Sequence, residues 1–215
     1  MTYLQIVNNI LKRLRERTVS TVNETDYSSL IALFVNDAKE LVENSWDWSA
    51  LRTSLTVNTT ADVFNYELNG SQNRLSVLDV VNDTSDFFMS YRTAHEFNTY
   101  FLSASPQRGI PTAYSYNGIS TDGDTQVDLY PIPDGVYNLR FNIVQRTADL
   151  VNDSDTITVP SRPVETLAYA LAVEERGEDG GLSPASAIAL ADKTLSDAVA
   201  FDSAKHEEET EWMVR

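Results

Sequence analysis

The 215-residue sequence has no cysteine, only two histidines and no apolar run near the roughly 20 residues of a membrane-spanning helix. The missing cysteine excludes thiol catalysis, zinc–thiolate centres and a disulfide framework, and it suits assembly in a reducing cytoplasm. A chain of this length buries about 70–75% of the surface its unfolded form exposes, so it needs no covalent or metal staple. At the amino terminus, charge arrives at Lys12 only after the apolar residues Leu4 to Leu11. A secretory signal has the reverse order, so the chain is expected to be cytoplasmic when made. The Asn-x-Ser/Thr triplets at Asn23, Asn58, Asn69, Asn82 and Asn152 then carry no glycosylation meaning.

Cations are scarce as well: 16 Lys and Arg stand against 32 Asp and Glu, a formal charge of −16. That balance argues against a nucleic-acid reader, which needs a basic footprint to displace counterions from phosphate. It is compatible with solubility, or with a surface past which DNA slides without sticking. The charge is also uneven. Lys12, Arg13, Arg15 and Arg17 make the first helix basic, whereas from Glu165 onward twelve acids meet only Arg176, Lys193, Lys205 and Arg215. A basic head and an acidic tail can pair within one chain or between neighbouring copies.

Catalytic patterns are missing too. His95 lies beside Glu96 in a short helical stretch and reads as a surface histidine. His206 and Glu209 have i, i+3 spacing, but a zinc centre wants three or four ligands and none follows. There is no G-x-S-x-G elbow, and Gly177, Gly180 and Gly181 follow a helix where a phosphate loop would precede one. Asp122, Asp124 and Asp128 begin like a calcium loop. Val127 then stands where glycine is required and Pro133 where the closing glutamate belongs, so the pattern fails. No cofactor, no metal and no enzymatic activity are expected.

What is present falls into three stretches. Residues 1–50 read as two helices. Thr2 is a candidate cap before Leu4, Val7, Ile10, Leu11 and Leu14; Asp26 is a candidate cap before Leu30, Ile31, Phe34, Ala38, Leu41 and Val42. The second ends on Trp46-Asp47-Trp48, an aromatic pair suited to sealing a helix end against a following strand. Residues 51–160 switch to short Val-, Thr-, Tyr- and Phe-rich runs split by polar turns. Strands are predicted at 53–59, 63–68, 74–81, 113–116, 126–131, 137–145 and 156–159, with a short helix over 93–102. Residues 161–203 return to helix: Pro163 opens one, Gly177 closes it, and Ser183 caps a second. That last helix carries Ile188, Ala191, Leu195, Ala198, Val199 and Phe201 on one side. The expected class is α+β, a helical bundle made by the two ends with an inserted antiparallel β-domain.

The tail, 204–215, runs through an acidic stretch to Trp212, Met213, Val214 and Arg215. Burying such apolar residues is worth about 1.5–3 kcal/mol each. Two destinations are open: a partner protein, or the chain's own bundle.

Residues 4–22 (LQIVNNILKRLRERTVSTV), the Trp46-Asp47-Trp48 helix end, and 162–181 (RPVETLAYALAVEERGEDGG) before an Ala-rich helix resemble the head-to-tail adaptor proteins of tailed bacteriophages. The likeness covers close to half the chain, with the β-insert agreeing in placement more than in residues. It implies a ring, commonly of twelve copies, under the portal at the head–tail junction of the virion. Such a ring extends the DNA channel, carries the next tail component and assembles in the bacterial host. It also implies that the tail clasps the portal protein, with His206, Trp212, Met213, Val214 and Arg215 as contacts. Arg13, Arg17, Trp46 and Trp48 are expected at the interface between copies. The competing reading is a carbohydrate- or receptor-binding β-module of a tail appendage, using Tyr66, Phe87, Phe88, Tyr91, Tyr114, Tyr116, Tyr130 and Tyr137 to stack on sugars. A tail-associated glycan hydrolase ranks below both.

Overall fold

The computed structural model describes residues 1–102, 105–177 and 183–205. They form two compact units: 1–51 with 146–177 and 183–205, which is mainly helical, and the described residues of 52–145, which is mainly built of strands. The class is α+β, with helical ends and an inserted β-domain.

In the helical unit, α1 spans Tyr3–Arg13 and starts with a reciprocal cap. The Gln5 amide donates to Thr2 Oγ1, and the Thr2 amide donates to Gln5 Oε1. Its buried face is Tyr3, Ile6, Val7, Ile10 and Leu11. α2 spans Asp26–Ser45, and its cap is Thr25 rather than the expected Asp26; the hydroxyl accepts from the Ser28 amide, and Asp26 sits in the first turn. An acid there still favours the positive end of the helix dipole.

The buried face of α2 is Ile31, Ala32, Val35, Ala38, Lys39, Val42 and Glu43. It is turned from the expected stripe, since Leu41 is exposed and Leu30 and Phe34 are half-buried. The displacement comes from Lys39 and Glu43, which lie inside the core as a pair. After α2, a 3-10 turn over Ser49–Leu51 leads out of the unit.

The chain re-enters at Arg146. The expected strand over 156–159 reduces to one bridge, Thr2 with Thr156, while Ile157 and Val159 bury as coil. Earlier in this segment Leu150 is fixed to α2: its amide donates to Asn36 Oδ1, and Asn36 Nδ2 donates back to its carbonyl. α4 spans Ser161–Arg176, starting two residues before Pro163, and Gly177 ends it at φ 70°. It buries Val164, Ala168, Ala170, Ala172 and Val173 because α1, α2 and α5 all pack on it. α5 spans Pro184–Ser203 and is capped by Ser183 as expected.

In the β unit, one sheet runs β1-β10-β3-β4: Arg52–Asn58, Asn138–Gln145, Leu75–Asn82 and Phe87–Phe88. The other runs β2-β8-β7-β5: Asn65–Glu67, Thr125–Tyr130, Ala113–Ile119 and Ser90–Tyr91. A parallel pair joins β6, Arg108–Gly109, to β9, Ile132–Pro133. The long ladders are antiparallel, and Leu68, Val80, Val127, Leu129, Leu139, Phe141 and Ile143 from both sheets fill one core. Alternation shows in β8, where Thr125, Val127 and Leu129 point inward and their neighbours are half-exposed. α3 spans Ala94–Phe101 and buries Phe97. Tyr100 of α3 stacks on Tyr130 with ring centroids 4.4 Å apart.

Candidate assembly surfaces

Four polar clusters hold the helical unit together, and they decide which side chains stay available to a partner. The deepest is Lys39–Glu43: the charges are 3.3 Å apart and both side chains are 2% exposed. Lys39 Nζ donates to the Thr147 carbonyl, and Glu43 accepts from the Thr147 amide and hydroxyl. The second ties α5 to the 3-10 turn: buried Asp202 accepts from the Ser49 amide at 2.9 Å and the Ser49 hydroxyl at 2.6 Å, with Lys205 paired beside it. The third surrounds Glu165, with Arg13 at 2.6 Å, Arg162 at 3.4 Å and Asn9 at 3.3 Å. The fourth joins Arg176 to Glu16 and the Leu14 carbonyl, with the Arg176 guanidinium over the Tyr27 ring.

Head and tail of the sequence therefore pair inside one copy, through Arg13–Glu165 and Glu16–Arg176. Arg13 also lies over the Tyr169 ring, so its charge and its plane are both engaged. Arg17 is exposed and Trp46 half-exposed. Trp48 is fully buried, and its indole donates to the Val42 carbonyl at 2.7 Å, which places it in the core of its own unit. Of the four residues expected between copies, Arg17 is exposed, Arg13 and Trp46 are partly exposed, and Trp48 is buried. His206, Trp212, Met213, Val214 and Arg215 lie outside the described residues.

Periodicity pointed less clearly to other surfaces of this unit. On α5 only Ala187, Ala191 and Asp202 are buried. Ile188 and Leu190 are exposed, and Phe201, expected on the packed side, is 76% exposed. Leu33 and Leu41 project from α2. Exposed Asp192 and Asp197 flank the α5 apolars. Scattered exposed apolars are ordinary on a monomer, but several large ones on two helices are what an assembling subunit presents.

In the β unit the tyrosines expected to bind sugar divide. Tyr114 is buried, and burial pushes its hydroxyl up to about 12, whereas Tyr91 and Tyr116 stay exposed at its edge with centroids 5.7 Å apart. Tyr66 and Tyr137 pack against the core, and Tyr130 carries the stack under α3. The acidic turn is likewise occupied. Asp124 accepts from the Gly70 and Gln72 amides, bonds that hold its carboxyl below the usual range, and Asp128 accepts from Asn65 and Asn117. The Asp124 carboxylate ties together the two turns in which Gly70 and Gly123 take positive φ. Among the described residues no group of three or more His, Asp or Glu could hold a metal, and no helix is long and apolar enough to cross a membrane.

The model of one protein family, described as SU10 adaptor protein, matches residues 1–213. No curated protein matches the chain.

Proposed function

The chain belongs to the SU10 adaptor protein family, and from that premise we propose that it forms a ring under the portal at the head–tail junction of a virion. The coarser part follows from membership: this is a bacteriophage adaptor with a structural, non-enzymatic role among head and tail components. The finer part is a ring of twelve copies that lengthens the DNA channel and offers a platform to the next tail component. The family match over essentially the whole chain is the observation that carries this reading.

Three features support it. Exposed apolars on α2 and α5 supply sites for neighbour contacts, and repetition around a ring makes many modest contacts collectively tight. Arg17 and Trp46 contribute at the same kind of boundary. A formal charge of −16 per copy suits a conduit, because acidic walls repel phosphate within the ~8 Å reach of charge at physiological salt. The segment 204–215 then reaches the portal, with Trp212, Met213 and Val214 buried in it and His206 and Arg215 at the rim.

Gold labelling of the chain in intact particles tests the placement. Label at the vertex between head and tail is expected; label on capsid faces or tail fibres contradicts the proposal. Removing Glu211–Arg215 should leave the fold intact and abolish portal binding.

A further inference from the structure

β1 lies at the edge of its sheet. All seven of its residues pair in unbroken register with β10, and no strand covers its other side among the described residues. Exposed edges are normally blunted by lysine, proline, a bulge or brevity, because free backbone N–H and C=O groups recruit other strands. Between Arg52 and Asn58 there is no proline, lysine, glycine or bulge. At roughly 3.3 Å per residue this is about 23 Å of unprotected edge.

β2 is an edge strand of the other sheet. A groove of about 320 Å³ lies between β1 and β2, lined on one side by Leu55–Asn58 and on the other by Asn65–Asn69. Leu55, Val57 and Tyr66 form its apolar part; they pack against the core yet remain only partly buried. Glu67 is the one ionisable carboxylate in the lining, and its Oε1 is buried with no hydrogen-bond partner among the described residues. An unpaired carboxylate acceptor is destabilising, so a donor that reaches the Glu67 carboxylate is favoured.

We propose that this groove is a docking site for an extended, positively charged segment of a partner protein. The segment adds to the β1 edge by main-chain hydrogen bonds and places a lysine or arginine on Glu67. Edge addition gives affinity through the backbone, while the side-chain pockets give choice. The charge selects the occupant: a groove with one carboxylate and no cation fits a basic strand. It disfavours the chain's own Glu207–Glu211 stretch, which would bring like charge to Glu67. The proposal rests on the adaptor reading, since it assumes the chain sits in a particle among other proteins.

The test uses the full chain carrying the photocrosslinker benzoylphenylalanine at Thr56, an exposed β1 position. It is assembled into particles and the adducts are identified by mass spectrometry. The expected adduct is with an extended segment of a different polypeptide that has a Lys or Arg close to the crosslink. Introducing Glu67→Lys into the same chain should cut the adduct at least tenfold, and Glu67→Gln several-fold, while both melt like the parent. An adduct with a second copy, no adduct in particles that contain the chain, or an undiminished adduct with Glu67→Lys overturns the proposal alone. A chain absent from particles overturns the adaptor reading and the docking site together.

Discussion

Replacing Lys39 by methionine removes one charge from a buried pair. Glu43, 2% exposed, would keep two bonds from Thr147 but lose the cation 3.3 Å away. Breaking a buried pair from one side typically costs about 3–5 kcal/mol, because the remaining charge stays desolvated. For a protein of this length that corresponds to a melting shift of about 6–20 °C, at roughly 2–4 °C per kcal/mol. The double variant Lys39→Met/Glu43→Leu removes both charges, so no lone charge stays desolvated and what is lost is the set of bonds the pair makes to Thr147. The double should therefore cost no more than the single, and far less than the sum of Lys39→Met and Glu43→Leu. Tryptophan fluorescence in a urea titration reads this unit, since Trp46 and Trp48 lie in it and residues 52–145 contain no tryptophan. A Lys39→Met cost under about 1 kcal/mol, or single effects that simply add, would refute the claim that the pair acts as a buried unit.

Asp202→Ala removes the acceptor of both Ser49 bonds and should cost about 1–3 kcal/mol. Hydrogen exchange should speed up at 195–205 and 49–51, and unchanged protection there would contradict the anchor. Asp124 has a folded pKa below its unfolded value of about 3.9, so its contribution is present above pH ~4 and lost as pH falls through the folded value. Asp124→Asn should thus be less stable at pH 6 and show a flatter loss between pH 4 and 2 in acid titrations of the β unit. Tyr3 donates to the Ala32 carbonyl, and burial pushes its pKa up to about 12. Its contribution is present below pH ~10 and lost as pH rises toward 12, so Tyr3→Phe should flatten the alkaline unfolding of the helical unit.

The order of elements was legible because periodicity changes from 3.6 to 2 and back along the chain, and because Thr2, Ser183 and Gly177 are local punctuation whose effect needs no tertiary partner. The face of α2 was not legible. Lys39 and Glu43 read as surface residues until Thr147, more than a hundred residues away, is seen to satisfy them. The burial of Asp202 against Ser49, a residue over 150 positions away, was not legible for the same reason. The stretch at 156–159 has strand composition but lacks a strand to pair with, so it buries as coil beside α1. Trp48 was legible as a residue at a helix end, and its indole is buried there, donating to the Val42 carbonyl. The unpaired β1 edge could not be found from sequence, since being at an edge is a property of sheet order and not of the strand.

Native mass spectrometry of the full chain, alone and mixed with the portal protein of the same virus, tests the central claim most directly. The account predicts a complex of ring stoichiometry on the portal that disappears when Glu211–Arg215 are removed. A chain that leaves the portal ring at its own mass, under conditions where both proteins are folded, would contradict it.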